Sequence, residues 1–539
     1  MTTRVRGRRG AATIVLATAV TLATVAGATA TAAGSRSPGS PGSLDGVWRT
    51  DGYGTVVSVD QDGRRLRSYE TTAAGCLPGD MDASRPHADG PFRQQGEAPV
   101  TLTAAGPGRA RMGQADDAGH RTLRRIAALP AACRDPHPAQ DPRAVFDTFW
   151  QTYAENYPFF AARGIDWQAV RDRYRPRVTA RTTPDELFAV LQQMIEPLHD
   201  GHTYLKNGTG DDFTKLYAGH RADTATPTRE SIARIDKAVA HAVGVPLRSW
   251  AQGAVSYADL PDGTGYLRIT RFEGYTKDGT YEADSAELDR ALDAVFTPER
   301  TASLRGLILD LRFNGGGSDR LGLRVAERLT DRPYTAYLKH ARNDPQNPGS
   351  FTPAEPVPVA PHRGGPVWTG QVAVLTGRLT ISAGETTTQA LMGRTPAPVR
   401  IGENTQGSFS DVLGRHLPNG WTFGLPNEEF VDARDGRTTY DIRGIAPDVA
   451  TPVFTEEELA SGRDSALMEA TRRLGQPRKG RCRTRGVSGG SSRPVRGAGN
   501  CASNHDAPAF EVLGAAPRTP EAVRRLQAVG GRSHSSPRP

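Results

Sequence analysis

Ser382 lies in a sequence context that could activate a serine hydroxyl. It follows a short β-branched run, 371–377, and opens the tetrapeptide Ser382-Ala383-Gly384-Glu385, which has the S-x-x-E pattern of a capping box. The sequence therefore predicts a buried strand, a tight turn and a helix that starts at Ser382. Free backbone N–H groups and the positive end of the helix dipole converge at such a position and could stabilise an oxyanion. Most S-x-x-E matches are only helix caps, so a chemical role for Ser382 needs support from other residues.

A glycine-rich turn is the second candidate feature. Gly315, Gly316 and Gly317 directly follow the apolar run 307–311 and Asn314. Without Cβ atoms this backbone can turn sharply and present bare N–H groups to a ligand. In α/β sheets such turns lie at the carboxyl ends of strands, where ligands bind. A plain flexible turn is the alternative, and a dinucleotide site is excluded because no G-x-G-x-x-G pattern occurs here.

A third feature is the segment Leu198-His199-Asp200-Gly201-His202-Thr203, which contains two histidines beside an acid. Histidines at i and i+3 could suggest a metal site, but this segment follows the end of a predicted helix, and a loop would not hold that geometry. The sequence therefore predicts no metal and no cofactor. His202 taken alone is more often structural than catalytic.

Alternating patterns of helix and strand over 263–474 predict an α/β core with at least partly parallel strands. Upstream, 142–205 is predicted to be helical, because Phe146, Phe149, Trp150 and Tyr153 recur at helical spacing. Short alternating runs over 44–135 predict a small β domain. The polar segment 206–262 has no assignment.

The N-terminus has the composition of an export signal. A basic stretch precedes an Ala/Thr-rich apolar stretch and small-residue cleavage sites, which predicts a signal peptide over 1–33, followed by a Ser/Pro/Gly linker over 34–43. The chain is thus expected to be secreted, and no other stretch is apolar enough for a membrane span.

The four cysteines of an exported chain are expected to form two disulfides. Three connectivities are possible. Local pairing, Cys76 with Cys133 and Cys482 with Cys501, is the simplest of them.

The formal net charge of +8 is concentrated at the two ends of the 539-residue chain. Four arginines precede residue 10, and twelve arginines or lysines lie within the Arg/Gly/Ser/Pro-rich tail 475–539, which is expected to be mostly disordered. The middle of the chain is net acidic. The basic composition therefore gives no reason to expect nucleic-acid binding by the core.

Six motifs, taken together and in order, resemble the S41 peptidases, which include the C-terminal processing (tail-specific) proteases and the tricorn core. They cover about 142–454 and are LHDGHT (198–203), LILDLRFNGGG (307–317), LTISAGE (379–385), GENTQG (402–407), LPNG (417–420) and RGIAPDV (443–449). The resemblance implies a crotonase-like α/β core preceded by the helical segment and the small β domain.

The resemblance also implies site residues. Ser382 would be the acylated nucleophile, with the N–H groups of Gly316 and Ala383 as the oxyanion hole. Processing proteases activate the serine with a lysine after G-x-x-T-x-G, but no lysine occurs between Lys339 and Lys479. The tricorn branch uses a histidine and a glutamate instead, which fall on His202 and, with an aspartate in place of the glutamate, on Asp441.

The function implied is that of a secreted serine peptidase acting on peptides or proteins, close to protein C-termini or on short peptides. The segment 206–262 is too short for a PDZ module with its linkers, so the catalytic domain itself would hold the substrate. Two alternatives are a non-catalytic binder of apolar ligands on the same fold and a hydrolase of non-peptide esters or amides.

Overall fold

The computed structural model describes residues 44–475 except 88, 135–138, 211 and 225. The predicted signal peptide, linker, basic tail and Cys482–Cys501 disulfide lie outside the described residues. The strands are β1 (Gly46–Thr50), β2 (Thr55–Asp60), β3 (Arg65–Thr72), β4 (Gly75–Ser84), β5 (Val100–Ala104), β6 (Arg109–Gln114), β7 (Arg121–Ile126), β8 (Tyr204–Lys206), β9 (Leu216–Ala218), β10 (Arg248–Trp250), β11 (Val255–Asp259), β12 (Thr264–Ile269), β13 (Gly306–Asp310), β14 (Phe313–Asn314), β15 (Tyr334–Ala341), β16 (Glu355–Val359), β17 (Val372–Thr376), β18 (Leu379–Thr380), β19 (Val399–Gly402), β20 (Val412–His416), β21 (Thr422–Pro426), β22 (Glu428–Val431) and β23 (Val449–Ala450). The helices are α1 (Ala131–Arg134), α2 (Pro142–Asn156), α3 (Trp167–Tyr174), α4 (Pro184–Ile195), α5 (Arg229–Val243), α6 (Tyr281–Val295), α7 (Pro298–Ser303), α8 (Asp319–Glu327), α9 (Ala383–Met392), α10 (Glu456–Ser461) and α11 (Ser465–Leu474).

Where the sequence predicts a small β domain, the first seven strands form one antiparallel sheet in the order β4-β3-β2-β1-β7-β6-β5. Alternate residues of these strands turn inward, so that Trp48, Val57, Leu66 and Leu123 share one apolar cluster. A disulfide between Cys76 and Cys133 joins β4 to α1, as the simplest pairing of the cysteines requires.

The helical segment packs as an apolar layer around α2 and α4. Asp141 caps α2 by accepting the N–H groups of Arg143 and Ala144. Thr183 and Glu186 form a complete capping box at the start of α4. The helices then share one buried cluster with β8 and β21, whose members include Phe146, Phe149, Tyr153, Leu187, Leu191, Leu205 and Phe423. This layer leads the chain into the His199–His202 segment.

A seven-stranded sheet in the order β10-β11-β12-β13-β17-β19-β23 forms the α/β core. The strands from β12 to β23 run parallel, and β10 and β11 extend the sheet in antiparallel fashion. In β13, Leu307 and Leu309 face α6, α8 and α9, whereas Ile308 faces α5 and α11. Helices thus cover both faces, which is why the sequence of β13 is almost continuously apolar.

The sequence left 206–262 unassigned, and the structure shows that it contains β9, α5, β10 and β11. Only Ile235, Val239 and Val243 of α5 are buried, a narrow stripe within a polar helix. The strand β15 pairs with β16 and β22 in a separate sheet and not with the central one. No helix among the described residues is both long and apolar enough to cross a membrane.

Candidate active site

Ser382 lies between β18 and α9 with φ 54° and ψ −121°, a left-handed backbone conformation that is rare for a residue with a side chain. Such a conformation costs about 1–3 kcal/mol and persists only where the surroundings hold it. Its N–H donates to the carbonyl of Ser408 (3.2 Å), and its carbonyl accepts the N–H of Glu385 (2.7 Å). The next N–H, that of Ala383, has no acceptor among the described residues. A strained serine therefore opens a helix beside a free N–H donor.

The glycine-rich turn touches this serine. A Cβ atom added to Gly316, whose φ is +88°, would lie 2.6 Å from the Cβ of Ser382 and 3.2 Å from its Oγ. The close approach therefore requires glycine.

Most N–H groups of this turn already donate hydrogen bonds within the protein. Gly315 donates to the Thr270 carbonyl (3.0 Å) and Ser318 to the Phe272 carbonyl (2.9 Å). Gly316 donates to Oδ1 of Asn314 (3.0 Å). The N–H of Gly317 has no acceptor among the described residues. Beside Ser382 the Ala383 N–H is thus a free donor, whereas the Gly316 N–H is bound to Asn314.

His202 lies in the turn after α4 and is 8% exposed. Its backbone N–H donates to Oδ1 of Asp200 (3.0 Å), whose other oxygen accepts the hydroxyl of Tyr157 (2.8 Å) and the guanidinium of Arg163 (3.0 Å). Burial lowers the pKa of His202 below its ordinary value, against the opposing effects of Asp200 and of a hydrogen bond with the main chain of Ser410. Nδ1 of the ring is buried without a hydrogen-bond partner in the described part of the chain. Burial therefore favours the neutral form of the imidazole.

The segment 405–410 joins the histidine turn to the serine. Ser408 accepts the Ser382 N–H through its carbonyl, and its Oγ would lie 3.0 Å from a Cβ added to Gly201. The main chain of Ser410, two residues on, contacts the His202 ring. One loop thus positions both the nucleophile candidate and the base candidate.

Asp441 reaches the same loop but not the histidine. Its Oδ1 accepts the Phe409 N–H (3.3 Å) and its Oδ2 the Thr439 hydroxyl (2.6 Å). Burial raises the pKa of this carboxyl well above its usual range. Among the described residues no hydrogen bond or ion pair joins Asp441 to His202. The structure therefore brings Ser382, Ala383 and Gly316 together, and connects His202 and Asp441 to them through 405–410.

Glu385 is the residue at this site that sequence reasoning missed, because it was taken only as a helix cap. Its carboxylate is completely buried and accepts N–H groups from Gly407 (2.6 Å), Ser408 (2.8 Å) and Ser382 (3.3 Å). Burial raises its pKa to about 7, although these donors favour the charged form. The S-x-x-E spacing was the one signal in the sequence, and it gave no hint of the donors in 405–408.

Lys339 is the buried lysine to consider as an alternative base. Its Nζ lies 2.8 Å from Asp117 and 2.6 Å from Asp411, with Glu428 at 3.4 Å. Burial alone would lower the pKa of Lys339, but the three carboxylates raise it well above its usual value. A lysine that keeps its proton cannot accept one from a serine.

Among the described residues, three potential metal ligands lie within 4.8 Å of one another at Glu70, Asp80 and His416, and neither histidine of the 198–203 segment belongs to that group. There Nδ1 of His416 contacts Glu70 (2.9 Å) and Nε2 contacts Asp80 (3.1 Å). Because a carboxylate contacts each ring nitrogen, His416 connects β20 to the β domain through two ion pairs.

A cavity of about 270 Å³ lies against the outer side of the 406–408 segment. Its wall includes Arg163, His199, Arg221, Gly407 and Ser408. Arg163 is paired with Asp200, Arg221 is paired with Asp223, and the N–H groups of Gly407 and Ser408 donate to Glu385.

Two sequence matches bear on this arrangement. Residues 263–451 match the profile of peptidase family S41, and residues 138–196 match that of the tricorn protease C1 domain. None of the curated proteins is significantly similar to the chain.

Several solved structures are similar to parts of this chain. A candidate peptidase from Parabacteroides merdae is 25% identical, with a TM-score of 0.49, over 62% of this chain and 97% of its own. The photosystem II D1 C-terminal processing protease is 15% identical, with a TM-score of 0.35, over 61% of this chain and 99% of its own. The tricorn protease is 15% identical, with a TM-score of 0.38, over 78% of this chain and 45% of its own. With TM-scores below 0.5, these similarities add no detail to the site.

Proposed function

We propose that Ser382 attacks the carbonyl of a peptide bond and carries the acyl group until water removes it. The premise is that the α/β domain belongs to peptidase family S41 and is the domain of a serine-type peptidase. The observation that carries this proposal is the strained conformation of Ser382 at the start of α9, packed against the turn at Gly316. A residue that only capped the helix would not need a left-handed backbone. The crotonase-like description of this core is part of the same proposal.

His202 is proposed as the general base that takes the proton from the Ser382 hydroxyl. A base must be neutral to accept a proton, and the burial that lowers the pKa of His202 keeps the imidazole neutral near pH 7. The high pKa of Lys339 supports this choice, because that lysine stays protonated.

Asp441 is proposed to orient His202. The loop 405–410 links Asp441 to His202: the Asp441 carboxylate accepts the Phe409 N–H, and the next residue, Ser410, contacts the His202 ring. Asp441 would then fix the imidazole in a productive orientation, and its negative charge, where present, would favour the imidazolium that forms during acylation.

The oxyanion hole is proposed to consist of the Ala383 N–H and a donor of the glycine turn. Gly316 lies against Ser382, but its N–H donates to Asn314, and the adjacent Gly317 N–H is free. Either Gly316 exchanges its acceptor during acylation or Gly317 supplies the second hydrogen bond. Each such donor contributes about 3–4 kcal/mol to transition-state stabilisation.

The substrate is proposed to be a short peptide or the C-terminal part of a protein, held against 406–408. Arg163 and Arg221 line the cavity there, and a guanidinium paired with one aspartate keeps further N–H groups that can meet a substrate carboxylate. Secretion through the N-terminal signal remains part of the proposal. It is supported by the Cys76–Cys133 disulfide, a bond typical of oxidising compartments.

Labelling with a fluorophosphonate, followed by mapping of the modified peptide, tests this function. We expect one modified residue, Ser382, and no labelling of Ser382→Ala, whose turnover should fall by several orders of magnitude. Labelling that is unchanged in Ser382→Ala contradicts the assignment. A wild-type chain that takes no label and hydrolyses neither peptides nor esters would instead be a binding protein, and one that hydrolyses only esters would be an esterase.

A further inference from the structure

Glu385 is a buried carboxylate without a cationic partner. Its exposed fraction is 0%, and no arginine, lysine or histidine of the described residues pairs with it. An isolated buried carboxylate is costly unless several donors satisfy its oxygens. Glu385 has such donors in the N–H groups of Gly407, Ser408 and Ser382 and in the hydroxyl of Thr405.

These donors belong to two different parts of the site. Ser382 is the residue whose backbone is strained, and its N–H is shared between the carboxylate of Glu385 (3.3 Å) and the carbonyl of Ser408 (3.2 Å). Thr405, Gly407 and Ser408 belong to the loop whose Ser410 contacts His202. Glu385 therefore ties the nucleophile turn to the loop that positions the base.

Helix capping alone does not account for this arrangement. Glu186 caps α4 with the same spacing, and its partners are the N–H and hydroxyl of Thr183 at an exposed helix end. Glu385 bonds in addition to two N–H groups more than twenty residues away. Its second oxygen, Oε2, serves both Ser382 and Ser408, so a shift of this side chain would move both.

We infer that Glu385 is a positioning residue of the proposed reaction, which holds Ser382 in its strained conformation and sets the distance between Ser382 and the loop that contacts His202. This inference depends on the proposed acyl-enzyme function. Glutamine in its place keeps the size but turns one of the two acceptor oxygens into an NH₂ donor, which would face N–H groups. The loop should then move away from Ser382, and the reactivity of the Ser382 hydroxyl should fall.

The test compares Glu385→Gln with Glu186→Gln in the full chain, using a chromogenic peptide substrate and a fluorophosphonate. For Glu385→Gln we expect kcat and the labelling rate of Ser382 to fall about tenfold to a hundredfold, as small displacements of reacting groups do. The small fluorophosphonate reports on Ser382 without using the outer cavity, so a loss of labelling rate that matches the loss of kcat separates this role from a change in the cavity wall, which would raise KM alone. Glu186→Gln should change the melting temperature only slightly and leave kcat unchanged.

Two results would overturn the inference. One is a folded Glu385→Gln variant with the kcat and labelling rate of wild type. The other is a parallel loss of kcat and melting temperature of the same size in both variants, which would show that capping explains both glutamates. If Glu385→Gln does not fold, Glu385→Asp is measured instead. It keeps the charge and shortens the side chain by one methylene, so a folded Glu385→Asp variant with unchanged kcat also overturns the inference. If the Ser382→Ala variant is as active as wild type, the proposed function itself is rejected, which is a separate outcome.

Discussion

At the scale of single residues, three residues of the candidate site have an unusual backbone conformation or a buried ionisable side chain. Ser382 is forced into a left-handed backbone, His202 is kept neutral by burial, and Glu385 is buried without a cation. Each alteration costs stability, and all three meet on the loop 405–410. Residues that carry strain or unfavourable burial in one place are typical of functional sites.

The close approach of Gly316 to Ser382 gives the first prediction. Gly316→Ala adds a Cβ that would overlap Ser382, and the φ of +88° makes any side chain unfavourable. We expect a rate loss of about a hundredfold or more, as for the loss of an oxyanion donor. The matched control is Gly420→Ala, at φ +81° with nothing within 4 Å of the added Cβ. It carries the same backbone cost of about 1–2 kcal/mol, and its kcat/KM should be unchanged. Equal losses in two folded variants would show that backbone strain, and not the site, is responsible.

The pH dependence of kcat/KM gives the second prediction, and it belongs to His202. The base must be neutral, so activity should rise with pH through its pKa and then level off. Because burial lowers this pKa, the midpoint should lie below the ordinary value of about 6.5. A lysine base such as Lys339 would instead place the rise above pH 10, because the carboxylates around it raise its pKa.

Variants identify the group responsible for this rise. His202→Ala should lose most activity, and Asp441→Asn should give a weaker enzyme. His199→Ala, at the wall of the outer cavity, should change KM more than kcat and should keep the rise with pH. Burial raises the pKa of Glu385 to about 7, so Glu385→Gln must keep the rise if it belongs to His202. Equal damage by His199→Ala and His202→Ala in folded proteins would contradict a single histidine base.

The candidate residues could be predicted from the sequence only as far as local patterns reach. Ser382 and Gly316 lie in short motifs that their own neighbours define, and the structure does bring them into contact. The hydrogen bond that commits the Gly316 N–H to Asn314, and the bonds from Gly407 and Ser408 to Glu385, depend on side-chain directions. No spacing in the sequence encodes those directions.

At the scale of elements, strong burial patterns made the core predictable. The positions of β12, α6, β13, α8, β17 and α9 follow from apolar runs that are buried on one or both sides. The helix α5 and the strands β10 and β11 were not predicted. A three-residue apolar stripe and a three-residue strand carry too little pattern to distinguish them from a loop.

The contact between the β domain and β20 gives the third prediction. His416 on β20 lies between Glu70 on β3 and Asp80 on β4, and the hydrogen bonds with Asp80 and Glu70 raise its pKa to about 10. A folded pKa above the unfolded value of about 6.5 means that the stabilisation is complete below pH 6.5. It should then be lost progressively as the pH rises toward 10.

Melting temperatures measured between pH 6 and 10 check this. The difference between wild type and His416→Gln should be largest at pH 6 and should shrink toward pH 10. His199→Gln, which changes an exposed histidine, should show no such trend. A constant difference across the range would mean that the His416 charge does not contribute to stability.

At the scale of the whole molecule, the motifs of the proposed chemistry and the elements that hold them end before the basic tail. The last described helix, α11, buries Ala466, Leu467, Ala470 and Leu474 against the face of the central sheet that also packs on α5. Leu474 lies against Gly306 at the start of β13, so α11 supports the strand that leads into the glycine turn. Contacts divide the chain at the next residues, into Met1–Pro477 and Arg478–Pro539.

Two truncations should therefore differ sharply. A chain that ends after Pro477 keeps α11 and all proposed site residues. Its kcat/KM on a small peptide should therefore stay within about twofold of wild type, which corresponds to about 0.4 kcal/mol. A chain that ends after Arg463 loses four buried side chains, each worth about 1–3 kcal/mol, and should not fold stably. Circular dichroism and hydrolysis of the same peptide measure both effects. If the chain ending after Pro477 is folded but inactive, residues of the tail take part in the site, and the loop 405–410 is not sufficient to complete it.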